Sequence, residues 1–196
     1  MIDLSPTVLA SVQAPLGRAE VVEWYWPDML DFTRREGELM VEMSVPPTSA
    51  DASACFPEID SHRRCFMGTL FVRWPGVLVS GRSEGGHIRV VRCVFGPEQT
   101  ARVMALCADP DLTFLQSLLS LTSEPLRVLL GLVRRELENA TGCRPEAIAA
   151  LLELVMIELE RIMAAETRAS VSGRLAPWQF RRIRERLEQD GPLPGV

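Results

Sequence analysis

From Ala19 to Phe95 apolar and polar positions alternate in short runs. The clearest run sets Leu39, Val41, Met43 and Val45 against Met40, Glu42 and Ser44, giving a strand one apolar face and one mixed face. Further strands are predicted at Val21–Trp26, Ala52–Phe56, Cys65–Trp74, Val77–Ser83 and His87–Phe95. Arg35-Glu36-Gly37-Glu38, Pro46-Pro47, Trp74-Pro75-Gly76 and Glu84-Gly85-Gly86 separate them, each supplying a fixed proline φ or a glycine that tolerates positive φ. About six strands with no helical period between them predict an antiparallel sandwich or jelly-roll barrel. A doubly wound α/β sheet would need helices in those intervals.

After Gly96 the period becomes helical. Pro97–Leu106 reads as a short helix, Asp109-Pro110-Asp111 as a break, and Leu112–Leu121 as either strand or helix. Ser123 caps a helix from Glu124 to about Asn139, which Thr141-Gly142-Cys143-Arg144 ends. Pro145 then opens the longest helix, expected to reach about Ala165, with Ile148, Leu152, Val155, Leu159 and Ile162 stepping by four and three. Leu151 and Leu154 lie off that seam, so the helix needs cover on more than one side. Leu126, Leu129, Leu130, Val133 and Leu137 of the preceding helix supply one cover. The expectation for the other is a second subunit, packed through Ile148, Leu151, Leu152, Leu154, Val155, Leu159 and Ile162, with the chain's own sheet as the alternative. Ser170-Val171-Ser172-Gly173 reads as a linker.

The chain has 196 residues, 47% hydrophobic and 24% charged, ordinary values for a globular protein. No 18-residue apolar run exists and the N-terminus lacks the pattern of a secretory signal, so a cytoplasmic protein without a membrane span is expected. Of five cysteines, widely spaced and without a CxxC pair, most are expected to be small buried hydrophobes. A net charge of −5 argues against nucleic-acid binding by the chain's overall field.

Candidate chemistry is sparse. A catalytic metal wants about three protein ligands, and this chain has two histidines, His87 at a strand start and His62 in a predicted loop. No metal, cofactor or catalytic residue is expected, and the chain is read as a non-enzyme. The serines lack a GxSxG elbow, and Gly81–Gly86 joins strand to strand without a helix N-terminus to hold phosphate. Trp24 and Trp26 fall on one strand face, where they are either core or a stacking surface for a ligand. With Trp74 and Arg92 they are the candidate ligand contacts. For strand arginines such as Arg73 and Arg92 the choice is solvent or a buried anion, and solvent is expected.

Two tracts carry a family resemblance. Leu175-Ala176-Pro177-Trp178-Gln179-Phe180-Arg181-Arg182-Ile183 resembles the opening helix of the DNA-binding domain of AraC/XylS-family transcription regulators. Gly68-Thr69-Leu70-Phe71-Val72-Arg73-Trp74-Pro75-Gly76-Val77, followed by Arg92-Cys93-Val94-Phe95-Gly96-Pro97, resembles the cupin-like effector domain of the same family, with Trp74 where a first proline is usual. The resemblance implies an α+β chain: a cupin-like β-barrel or jelly roll (1–108), a helical dimerisation pair (109–169), and a linker with one isolated C-terminal helix (170–196), truncated inside the DNA-binding domain. It further implies a small, partly apolar effector, a homodimer, and DNA contact only through helix-turn-helix units beyond this chain. A freestanding cupin-like enzyme or small-molecule carrier is the alternative.

Overall fold

The computed structural model describes residues 5–26, 28–48, 52–140 and 142–171. Nine strands precede four helices: β1 (Thr7–Ala14), β2 (Gly17–Trp26), β3 (Leu30–Arg35), β4 (Met40–Thr48), β5 (Ala52–Phe56), β6 (Asp60–Phe66), β7 (Leu70–Arg73), β8 (Leu78–Ser83), β9 (Gly86–Phe95), α1 (Pro97–Met104), α2 (Leu112–Leu118), α3 (Glu124–Leu137) and α4 (Pro145–Val171). They form an antiparallel five-stranded sheet, β1-β2-β9-β4-β7, and a four-stranded sheet, β3-β8-β5-β6. From β2 to β9 every connection except β5–β6 crosses from one sheet to the other, which is the path of a jelly roll. The fold is therefore α+β and cupin-like. The two sheets stay separate, so the barrel alternative is corrected to a two-sheet jelly roll.

The five-stranded sheet is covered on both faces. Ala19 and Val21 of β2, Val41 of β4, and Val91, Cys93 and Phe95 of β9 point away from the second sheet and join Leu126, Leu130 and Val133 of α3 and Ile148, Leu152, Val155 and Leu159 of α4 in one core. Full burial of each such aliphatic or aromatic side chain stabilises by about 1.5–3 kcal/mol. The segments 1–108 and 109–169 thus share a continuous apolar interior. At the β1–β2 hairpin Gly17 takes φ 152°, and a Cβ there would lie 2.0 Å from the Val94 carbonyl oxygen, so no side chain fits.

Several expectations are revised. Strands β1 and β3 fall where no strand was predicted, and β6 occupies the stretch read as a loop around His62. That strand lies at a sheet edge with Ser61, His62 and Arg63 exposed, so the apolar alternation that marks a half-buried strand is missing. The predicted Cys65–Trp74 strand is broken at Met67–Thr69. The ambiguous Leu112–Leu121 segment is helical over Leu112–Leu118, where the Asp111 carboxylate accepts the Phe114 N–H at 2.7 Å and caps the helix. Helix α4 runs on through Val171, so Ser170 and Val171 are helical rather than linker. Ser172, Gly173, the Trp178 helix and the remainder of the 170–196 segment lie outside the described residues.

The expected dimer seam is also revised. Ile148, Leu152, Val155 and Leu159 are each 0% exposed within the single chain, because α4 lies across β1 and β2 and against α3. Leu151 and Ile162 are half-buried, and Leu154 is exposed. The chain's own sheet covers the face assigned to a partner subunit. Leu152→Ala is accordingly expected to cost about 2–5 kcal/mol by urea denaturation, against at most about 0.5 kcal/mol for Val128→Ala at an exposed position of α3. Equal costs would contradict this placement of α4.

Candidate ligand site

The inner face of the five-stranded sheet faces the second sheet across a cavity of about 320 Å³. Strand pairing aligns its side chains in rows. Trp26 pairs with Gly86, Trp24 with Ile88, Val22 with Val90, and Glu20 with Arg92; Ser44 pairs with Val90 and Glu42 with Arg92. The face therefore grades from aromatic at one end to charged at the other.

At the aromatic end the Trp24 and Trp26 ring centroids lie 6.0 Å apart at 37°, and Trp26 lies 6.4 Å from Phe32 at 31°. Such tilted neighbours form a continuous apolar wall. The Phe32 ring occupies the place a side chain at Gly81 would take, since a Cβ there would approach its Cζ to 2.1 Å. Phe71 of β7 lines the cavity from within, and Phe66, 61% exposed, stands at its rim.

The charged end is an ion-pair network. Arg73 Nε donates to Glu42 Oε2 at 2.6 Å, and Arg92 Nε to Glu20 Oε2 at 2.7 Å. Arg92 Nη1 lies 3.9 Å from Glu42 Oε1, and Arg73 Nη1 lies 3.5 Å from Glu36. Arg18 pairs bidentately with Glu38 at 3.1 and 3.0 Å and lies 3.4 Å from Glu20. Burial works against the Arg73 charge, but attraction to Glu42, their hydrogen bond and Glu36 prevail and hold its pKa above the ordinary arginine value. The neighbouring Arg34 guanidinium, 5.7 Å over the Phe32 ring, is shifted down by burial and by the like charge of Arg73.

Of the residues expected at the site, Trp24 and Trp26 line the cavity together. Arg92 shares their sheet face but sits in the ion network behind the cavity. Arg73 and Arg92 are 14% and 13% exposed, so the expectation of solvent-facing arginines is overturned by the buried anions Glu42 and Glu20. Trp74 is elsewhere: 4% exposed, it packs edge-on to Phe114 at 5.1 Å and 87°, and is core between the second sheet and α2. Sequence reasoning missed Phe32, Arg34, Glu42 and Phe71. The mixed face Met40-Glu42-Ser44 was the available signal, because a polar face opposite a wholly buried one marks either solvent or a polar interior. His62 is exposed on β6, and His87 lies on the outer sheet face with Nε2 2.8 Å from Glu23 Oε2. Among the described residues no cluster of three or more His, Cys, Asp or Glu is placed to hold a metal ion, and no helix is long and apolar enough to cross a membrane.

One wall of the cavity is bonded to the helices. Met67, Gly68 and Thr69 line it. The Gly68 N–H donates to the Leu119 carbonyl at 2.8 Å, the Leu121 N–H to the Leu70 carbonyl at 2.8 Å, and Arg127 Nη1 of α3 to Thr69 Oγ1 at 2.9 Å. A Cβ on Gly68 would fall 2.4 Å from Ser120 Oγ, so the strand connection and the α2–α3 loop touch backbone to side chain.

The sequence matches no protein-family model and no curated protein. Among solved structures, the AraC-like transcriptional activator CuxR is 15% identical and aligns over 82% of this chain and 68% of its own, with a TM-score of 0.47. A cupin domain from Bordetella pertussis is 14% identical over 47% of this chain and 92% of its own, with a TM-score of 0.34. A Schizosaccharomyces pombe cupin domain is 14% identical over 52% and 69%, also at 0.34. Likeness at this level assigns no ligand or activity, and the jelly-roll assignment stands on the strand order.

Removing the Glu42 carboxylate strands Arg73, whose other carboxylate neighbour is farther away. Glu42→Ala is expected to cost about 3–5 kcal/mol in urea denaturation, the magnitude for leaving one buried charge without its partner. The exposed pair Arg82–Asp31 on β8 and β3 is the control, and Asp31→Ala should leave the transition midpoint unchanged. A Glu42→Ala midpoint equal to wild type would show that the network is hydrated and not part of the fold's stability.

Proposed function

We propose that this chain is the effector-sensing and dimerisation region of an AraC-type transcription regulator, working in the cytoplasm and acting on DNA through helix-turn-helix units beyond the residues given. The observation that carries this reading is the wall Met67–Thr69, which belongs at once to the cavity and, through Leu119, Leu121 and Arg127, to the helical layer. A molecule seated against that wall changes the relative energy of two packings of the α2–α3 loop and α3, and α3 passes the difference to α4 along their shared core. That is a population shift with differential contacts in the two states. The tract Leu175–Ile183 supports the same reading, because it resembles the entry to such a regulator's DNA-binding domain.

The dimer in this proposal uses the face of α4 that the sheet leaves uncovered. Leu154 is 49% and Ile157 44% exposed on that helix, with Leu151 half-buried beside them. Catalysis is not part of the proposal: among the described residues the cavity lining contains neither histidine nor cysteine, and the aromatic and ion-paired groups there are suited to holding a molecule.

A metabolite screen followed by tryptophan fluorescence tests the sensing reading. A ligand at a hundredfold its Kd should stabilise by about 2.7 kcal/mol and raise the melting temperature by roughly 5–10 °C, and Trp24→Ala should weaken binding at least about tenfold. Hydrogen exchange should then show ligand-dependent protection in the α2–α3 loop and α3 as well as in the cavity walls. Protection confined to the sheets would favour a freestanding carrier. Light scattering should show a dimer that Leu154→Glu with Ile157→Glu converts to a folded monomer; a monomeric wild type would remove the dimerisation role.

A further inference from the structure

The aromatic wall of the cavity ends on a cation. Phe32 and Arg34 are two residues apart on β3, so their side chains leave the same face of the strand, and both line the cavity. Close neighbours run without a break from the tryptophans to the charge: the Trp24 and Trp26 centroids are 6.0 Å apart, those of Trp26 and Phe32 6.4 Å, and Arg34 Cζ lies 5.7 Å from the Phe32 centroid. An aromatic ring held along Trp26 and Phe32 therefore brings a short substituent to the guanidinium. Arg34 is half-buried, so the group is accessible as well as close.

The substituent that fits is an anion. Burial, and then the like charge of Arg73, hold the Arg34 pKa below the ordinary arginine value in spite of Glu36 and Glu42, so a negative group placed beside it is stabilised. A carboxylate matches the planar guanidinium, which can donate two parallel N–H···O bonds to it. The lining carboxylates oppose such a ligand only weakly. Glu42 is 1% exposed and accepts from Arg73 at 2.6 Å, and Glu84 is exposed, where water and salt screen it. A cationic ligand meets the like charges of Arg34 and Arg73, and a neutral one forgoes the charge-assisted bonds. The volume of about 320 Å³ is at the low end for a small-molecule site and suits one or two rings.

We infer that the cavity takes a small aromatic carboxylate, its ring against Trp26 and Phe32 and its carboxylate accepting from the Arg34 guanidinium. The existence of a ligand is taken from the sensing reading; Arg34 adds the ligand's charge and the residue that selects it.

The test is a ligand-observed NMR titration of the 196-residue chain with phenylacetate, its neutral isostere phenylacetamide, phenethylamine and the non-aromatic cyclohexylacetate. Phenylacetate should bind at least about tenfold more tightly than the amide or the amine, and at least about threefold more tightly than cyclohexylacetate. Arg34→Gln, with folding checked by tryptophan fluorescence, should reduce the advantage of phenylacetate over the amide to less than about threefold. Should that variant not fold, Arg34→Lys takes its place, keeping the charge without the planar fork, and should weaken phenylacetate binding at least about threefold. Arg82→Gln, at an exposed pair on β8, should leave the affinity unchanged; an equal loss there would overturn the role of Arg34 in favour of general charge attraction. Equal affinity for phenylacetate and phenylacetamide, or tightest binding of phenethylamine, would overturn the anionic class. Cyclohexylacetate binding as well as phenylacetate would overturn the aromatic one. Saturable binding by none of the four would overturn the inference, while a hit of another class from the metabolite screen would still uphold the sensing reading.

Discussion

The five-stranded sheet packs against other elements on both faces, and the site follows from how its two faces differ. Along β2, Ala19 and Val21 meet the helices while Glu20, Val22 and Trp24 meet the interior of the jelly roll. The outer face is a close-packed core over Ala19, Val21, Val41, Val91 and Cys93, and beyond it carries the partly exposed Glu23, His87 and Arg89. The inner face is filled at one end by ion pairs and lined at the other by aromatic rings, and an open volume remains between them. A sheet with one solvated face would have needed neither arrangement.

The ion-paired end has a structural role. Glu20, Glu42, Arg73 and Arg92 are long side chains fixed by strong, directional bonds, so they hold neighbouring strands of one sheet in register while leaving the space above them unfilled. Leucines and phenylalanines there would gain more from burial and would collapse into the space. Replacing buried ion pairs by apolar residues is often neutral or stabilising, so the network is better understood as keeping a cavity open than as adding stability.

The helical layer is tied to this interior at Met67–Thr69. That connection is short, lies between two strands of different sheets, and shares its hydrogen bonds with the α2–α3 loop. Gly68 lies so close to Ser120 that a Cβ on it would fall 2.4 Å from Ser120 Oγ, so the two segments are in direct contact. A jelly roll whose walls were bonded only to each other would bind a molecule without consequence for α3 and α4. Here one cavity wall is hydrogen-bonded to the segments that join the helices.

Periodicity sufficed where an apolar face runs in a clean repeat, though it did not reveal β1 or β3, whose Ala10, Val12, Ala14 and Leu30 are packed inside. The alternation at Leu39–Val45, the prolines at the starts of α1, α3 and α4, and the Ser123 cap are local signals, and each element they mark is present. The common face of Trp24 and Trp26 was likewise legible, because strand alternation is a property of the backbone. What the sequence could not settle was what lies opposite each face. Edge strand β6 has too little burial to carry a pattern. The seam Ile148, Leu152, Val155, Leu159 reads identically whether a second subunit or β1 and β2 cover it, and the tertiary structure alone assigns it to the chain's own sheet. Arg73 and Arg92 read as solvent-facing because their carboxylate partners Glu42 and Glu20 are 31 and 72 residues away in the chain. Strand order brings them to adjacent positions, and it is that long-range pairing, invisible to any local pattern, which turns a mixed strand face into the charged end of a cavity.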